Sequence, residues 1–121
     1  MSASEHLNKT LFHGTTTKHG VLNPGDVIVP RSVLQKGAKE KPGTLWHDVE
    51  THAFATTNYD DAKEYARHSA DKADFLYPIM YEVEPSKDMF KDDFHGEGWD
   101  KQSYASPTGF RVKKVVWGGN Q

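Results

Sequence analysis

The chain has 121 residues, a formal net charge of −2 and no cysteine, and 36% of its residues are hydrophobic. A chain of this length is typical of one domain and buries about two-thirds of its unfolded surface, so a stable core needs no cross-links. The missing cysteine excludes disulfides, thiolate metal sites and a cysteine nucleophile. The small negative charge provides no basic surface, so a nucleic-acid partner is not expected.

No apolar run approaches the roughly 18 residues that a membrane span requires. The N-terminus MSASEHLNK also has no apolar signal-peptide region. We therefore expect one cytoplasmic domain over residues 1–121, with residues 1–10 flexible, no membrane partner and a monomeric state favoured.

The first half of the chain predicts three strands, with a long loop before the last. The first strand covers residues 9–13 and ends at His13, and a turn at residues 23–25 leads into the short alternating strand DVIVP. Residues 31–48 are rich in Lys, Gly and Pro and predict a long loop, in which residues 36–41 are solvated. The third strand is predicted at residues 50–56.

One good helix follows that strand. Thr57 or Asn58 can cap a helix that runs to about residue 72, and two aspartates in its first turn suit the helix dipole. Further strands are predicted at residues 79–83 and 109–117, with a second long loop at residues 88–103. Short strands around one helix indicate the α+β class. The residues that share one helix face, mostly small, are Ala62, Tyr65, Ala66 and Ser69.

Two short motifs carry the functional prediction. In LFHGTTTKHG, His13 and Gly14 stand together, a pair that can bring backbone close to a ligand while the imidazole binds a hydroxyl. In AFATTNYDDAKEYA, Phe54 lies on a strand and Tyr65 on the following helix, so their rings can face each other across a flat slot. Such a slot suits a planar cationic ring, because aromatic faces attract positive charge by about 0.5–2 kcal/mol each. The alternative is that Phe54 belongs to the core and Tyr65 packs the helix.

In this order and spacing, the motifs resemble the diphtheria-toxin and poly-ADP-ribose polymerase class of ADP-ribosyltransferases. They are most similar to the small bacterial rifamycin ADP-ribosyltransferases. The resemblance covers nearly the whole chain, and it rests on six motifs in family order rather than on any single one. The motifs are FHGT (12–15), NPGDVI (23–28), FATTNYDDA (54–62), YEVEP (81–85), FKDD (90–93) and QSYASPTGFRV (102–112).

The resemblance implies a fold of two small antiparallel sheets, with NAD bound in the cleft between them and one main helix. It also implies an activity, the transfer of ADP-ribose from NAD to an acceptor hydroxyl with release of nicotinamide. NAD is then a substrate, and no metal is needed.

The resemblance also implies which residues bind NAD. His13 corresponds to the histidine that binds a ribose hydroxyl, and Gly14 to the residue whose backbone holds the nicotinamide amide, with Thr15 beside it in the cofactor site. Phe54 takes the place of a strand tyrosine that stacks on nicotinamide. Tyr65 corresponds to the helix aromatic on the other side of the ring.

Catalysis is assigned by the resemblance to His13, Phe54 and Asp93, and Asp93 corresponds to the catalytic carboxylate. Breaking the bond from nicotinamide to ribose develops an oxocarbenium-like cation, which a fixed carboxylate stabilises. The sequence departs from the family in two ways. Phe54 lacks the tyrosine hydroxyl, and the loop before Asp92 and Asp93 is one residue longer, which leaves Asp92 as an alternative carboxylate.

Three functions remain open for the chain. The first, favoured by its compact size, is modification of a small molecule such as a rifamycin. The second is modification of a protein or nucleic acid, as by a toxin or phage factor, and the third is a module that binds NAD or ADP-ribose without turnover. Four aromatic residues can wall an apolar acceptor pocket or can equally be core and loop anchors: Trp46, Phe75, Phe94 and Trp99.

Overall fold

A computed structural model describes residues 10–71, 76–91 and 103–118. Within these ranges the strands are β1 (Leu11–Thr16), β2 (Val27–Ile28), β3 (Ala53–Thr56), β4 (Pro78–Val83), β5 (Phe90–Lys91), β6 (Ser103–Ser106) and β7 (Phe110–Gly118). The helices are α1 (Arg31–Leu34), α2 (Leu45–Thr51) and α3 (Tyr59–Asp71), and a single 3₁₀ turn covers Thr17–His19. The α+β class is therefore confirmed.

The strands form one seven-stranded sheet in the order β2-β7-β4-β1-β3-β6-β5 across the described ranges. Every described pairing is antiparallel. The expected pair of small sheets is thus one continuous sheet, in which four strands up to β1 join three strands from β3 onward.

The core lies on one face of this sheet and α3 on the other. On β1, Leu11 pairs with Val83 and faces the core, whereas Gly14 faces α3. Burial of each large aliphatic side chain stabilises the fold by about 1.5–3 kcal/mol. The core-face cluster consists of Leu11, Ile28, Ala53, Ala55, Ile79, Tyr81, Val83, Met89, Phe110 and Val112.

Helix α3 is close to its prediction. Asn58 caps it, since the Asn58 side-chain oxygen accepts a hydrogen bond from the Asp61 backbone N–H at 3.1 Å. The helix residues buried against the sheet are Ala62, Ala66 and Ala70. Their small side chains permit close packing.

Several predicted boundaries are wrong. Strand β1 continues to Thr16, so His13 lies inside the strand rather than at its end, because the whole segment from Leu11 pairs with β4. The strand predicted from Glu50 begins at Ala53, and Glu50 belongs to α2. The second long loop contains β5 and the start of β6, and its residues 92–102 lie outside the described ranges.

The first long loop contains α1 and most of α2, and it is held by a buried carboxylate. Glu50 is 3% exposed, and it accepts hydrogen bonds from the backbone N–H groups of Lys39 and Glu40 at 2.7 and 2.8 Å. Gln35 donates a third bond at 2.9 Å. These bonds, led by the one from Glu40, lower the pKa of Glu50 below its ordinary value. A loop expected to be solvated is therefore pinned by its backbone to α2.

Candidate functional site

The site is built where β1 and β3 part. These neighbouring strands are paired in register at Phe12 and Thr56. Beyond that pair β1 continues along β4 to Thr16, while β3 runs back along β6 to Ala53. The two halves of the sheet therefore meet around one registered pair and can diverge beyond it.

At this divergence the His13 side chain contacts the backbone of β3. Its Nδ1 atom lies 2.5 Å from the carbonyl oxygen of Phe54. A carbonyl oxygen only accepts hydrogen bonds, so Nδ1 must carry the proton. In the neutral imidazole the other nitrogen, Nε2, then has a lone pair and can accept a hydrogen bond, for example from a sugar hydroxyl.

The neutral form of His13 is favoured by its surroundings. Burial lowers the pKa of His13 below its ordinary value of 6.5, although the hydrogen bond to Phe54 acts in the opposite direction. The imidazole is therefore neutral at pH 7 in the protonation state that the Phe54 carbonyl selects.

Phe54 and helix α3 lie on the same side of the sheet. Phe12 is paired with Thr56, so both side chains share a face, and Phe54 shares it by the alternation of β3. The Phe12 ring meets the ring of Tyr59, the first residue of α3, edge to face at a centroid distance of 5.3 Å. The partly buried Phe54 thus faces the same side as the helix.

Tyr65 lies on the flank of α3 that is directed toward β3. The ammonium group of Lys63 lies 5.0 Å from the centroid of the Trp117 ring, on the β7 side of the helix. Residues two apart are about 200° apart around a helix axis, so Tyr65 projects from the opposite flank. Its side chain is 57% exposed. Phe54 and Tyr65 therefore border the same side of the molecule, at an open surface.

The close approach of α3 to β1 requires a glycine at position 14. A Cβ atom added to Gly14 would lie 2.0 Å from the carbonyl oxygen of Ala62 and 3.3 Å from the Cβ of Ala66. No side chain fits in that space without movement of the helix backbone. The sequence predicts that the Gly14 backbone contacts a ligand. In the structure, the space into which a side chain at position 14 would project is occupied by α3.

His13 and Phe54 present their side chains to opposite sides of the sheet. His13 is paired with Tyr81 and shares the face of that buried residue, whereas Phe54 faces α3. A ligand that contacts the His13 imidazole and the Phe54 ring must therefore reach across the divergence of β1 and β3. Thr15 is paired with Ile79 and lies on the His13 side.

The remaining predicted site residues are not placed by the structure. Asp92 and Asp93 lie outside the described residues, as do the acceptor-wall candidates Phe75, Phe94 and Trp99. Trp46 lies in α2, without a described side chain. The structure therefore links the His13 side chain to the Phe54 backbone, places Phe54 and Tyr65 on the side of α3, and leaves the catalytic carboxylate as a sequence prediction.

Sequence reasoning missed one residue of this region, Tyr59. Its ring packs on Phe12 at the single registered pair between the half-sheets. The available signal was an aromatic residue directly after the Asn58 cap, three positions beyond the end of β3.

Neither a metal centre nor a membrane segment is found in the described part of the chain. Across residues 10–71, 76–91 and 103–118, no three His, Asp or Glu side chains are grouped so as to hold a metal ion. None of the helices in the same ranges is long and apolar enough to cross a membrane.

The chain matches no protein-family model and no curated protein. The candidate site therefore depends on its residues and their geometry.

Proposed function

We propose that this protein is an NAD-dependent ADP-ribosyltransferase. It moves ADP-ribose from NAD to an acceptor hydroxyl and releases nicotinamide. The acceptor is a small molecule, with a rifamycin as the class to test first.

The hydrogen bond between His13 and the Phe54 carbonyl is the observation that supports this proposal most strongly. It sets the imidazole tautomer so that Nε2 can accept a hydrogen bond from a ribose hydroxyl. The same bond joins the residue proposed to hold ribose to the residue proposed to stack on nicotinamide. In the proposed complex, the ribose and the nicotinamide of NAD lie on either side of this bond.

The placement of Phe54 and Tyr65 on the same side of the molecule supports the proposal from the nicotinamide end of the ligand, where a slot between the two rings is proposed. Nicotinamide in NAD is a planar cation, and aromatic faces attract such rings. Stacking needs no hydroxyl, so phenylalanine at position 54 is compatible with binding. When the bond to ribose breaks, the ring leaves as a neutral molecule and the positive charge moves to the sugar, where Asp93 is proposed to stabilise it.

A second candidate function, NAD or ADP-ribose binding without turnover, is favoured by Phe54 itself. The missing tyrosine hydroxyl removes one hydrogen bond that could orient the leaving group. Modification of a protein or nucleic acid is the third candidate, and the formal charge of −2 weighs against nucleic acid.

One incubation separates these candidates. The protein is mixed with NAD, with and without a rifamycin, and free nicotinamide and the mass of the antibiotic are measured. A mass gain of one ADP-ribose on the rifamycin supports the small-molecule transferase. Nicotinamide release without that product moves the acceptor to another class, and NAD binding without any release supports the binding module.

A further inference from the structure

We infer that Gly14 is a positioning residue for Tyr65. Its missing side chain lets α3 lie directly on β1, and this contact sets the distance between the Tyr65 and Phe54 rings. The inference depends on the proposed function for its ligand, but the contact itself can be tested without one.

Gly14 lies against the backbone of α3, and this contact leaves no space for a side chain. A Cβ on Gly14 would meet the Ala62 carbonyl oxygen at 2.0 Å, whereas ordinary contacts begin at 3.4 Å. The obstacle is the helix backbone, which cannot rotate away as a flexible side chain can. Any side chain at position 14 must therefore move α3 by more than an ångström or bend β1.

Such a movement is transmitted to Tyr65 because both residues belong to one helix. Tyr65 lies between Ala62 and Ala66, the two residues that contact the position of the added Cβ. The ring on the β3 flank is displaced with them. Phe54 is held on the other half of the sheet by its pairing with Ala105, so it does not follow.

The expected consequence is specific to nicotinamide. A misplacement of about 1 Å in a fitted site can cost about 100-fold in reaction rate. Gly14→Ala should therefore lower NAD affinity by roughly tenfold or more, while affinity for ADP-ribose, which lacks nicotinamide, changes little. A general loss of structure would weaken both ligands alike.

A matched control is available at Gly109. A Cβ added there meets a backbone carbonyl oxygen, that of Ile28, at 2.1 Å, but the contact lies between β2 and β7. Gly109 also has a φ of +108°, so its replacement by alanine is at least as disruptive for folding. Gly109→Ala should lower stability without changing the ratio of NAD to ADP-ribose affinity.

The ligand-free test uses fluorotyrosine incorporated throughout the protein, with the Tyr65 signal assigned from Tyr65→Phe. Gly14→Ala should shift the fluorine NMR signal of Tyr65, and Gly109→Ala should leave it in place. An unmoved Tyr65 signal in folded Gly14→Ala overturns the inference, whether or not the protein binds NAD. If Gly14→Ala does not fold, Ala66→Val enlarges the same contact and should move the same signal, and an unmoved signal there also overturns the inference.

The binding test is a double-mutant cycle between positions 14 and 65. If Gly14 acts through Tyr65, Gly14→Ala should cost little further NAD affinity once Tyr65 is alanine. Additive losses would overturn the inference while leaving the proposed NAD site intact. Absence of NAD binding in the wild type would instead count against the proposed function, and the fluorine measurement would still decide the positioning role.

Discussion

The Nδ1 atom of His13 lies 2.5 Å from the carbonyl oxygen of Phe54, across the point at which β1 and β3 part. The two nitrogens of the His13 ring have separable roles. Nδ1 binds the Phe54 carbonyl within the fold, and Nε2 is the atom proposed to bind the ligand. Substitutions that imitate one nitrogen at a time can therefore distinguish structure from binding.

The first prediction concerns His13→Asn and His13→Ala. The asparagine amide can still donate to the Phe54 carbonyl but has no group at the Nε2 position. Both variants should lose NAD affinity by roughly 1–3 kcal/mol, because a ribose hydroxyl loses its acceptor in a partly desolvated site. Titration calorimetry measures the loss, and thermal unfolding should show His13→Asn to be the more stable variant. Equal NAD affinity in wild type and both variants would remove His13 from the site.

The second prediction is a pH dependence of stability. Burial lowers the pKa of folded His13 below 6.5, so the unfolded chain binds this proton more readily than the folded chain. The contribution of neutral His13 is therefore fully present above about pH 6.5 and declines as the pH falls below it. Glu50 and Asp88, whose pKa values are also lowered, act in the same direction but from lower ordinary values of 4.5 and 3.8.

Urea unfolding of wild type and His13→Asn at about pH 7.5 and about pH 5.5 isolates this contribution. Wild type should lose more free energy of unfolding than the variant over this interval. Identical losses would show that the His13 proton is bound equally in both states.

The third prediction concerns the ring at position 54. If Phe54 stacks on nicotinamide, Phe54→Tyr should keep or raise turnover, since the ring is retained and a hydroxyl is added. Phe54→Ala should lose the slot and most of the activity, and Tyr65→Ala is the matched change on the other wall. Nicotinamide release measures all three. Unchanged kinetics in Phe54→Ala would show that the ring serves the fold alone.

The sequence was sufficient for the α+β class and for α3, because the Asn58 cap and the spacing of the small residues are local signals. It could not predict that β1 passes beyond His13, since pairing with β4 extends a threonine-rich segment that has no apolar pattern of its own. The anchoring of the predicted loop by Glu50 was missed for a similar reason. A single buried carboxylate that accepts backbone hydrogen bonds leaves no periodic trace in the sequence.

The sequence proposed residues for the candidate site but not their geometry. Motif order proposed His13 and Phe54 together, yet their link through a backbone carbonyl depends on tertiary structure. The packing role of Gly14 was also hidden, because its partner is the backbone of Ala62 rather than a side chain.

The fourth prediction concerns the carboxylate that the sequence assigns to Asp93. A group that stabilises charge only in the transition state affects turnover and not binding. Asp93→Asn should therefore lower turnover by roughly 10²–10³ and leave NAD affinity nearly unchanged. Asp92→Asn is the matched control and should be mild. A severe Asp92→Asn defect with a mild Asp93→Asn one would move the role by one residue, and two mild defects would favour the binding module.

The most direct measurement of the central claim is nicotinamide release from NAD by the wild-type protein, with His13→Asn as the paired control. An NAD-dependent transferase should release nicotinamide in the presence of a suitable acceptor such as a rifamycin, with one ADP-ribose gained by the acceptor for each nicotinamide released. The His13→Asn variant should be folded and much slower at low NAD concentration. Wild-type protein that neither binds NAD nor releases nicotinamide would contradict the account.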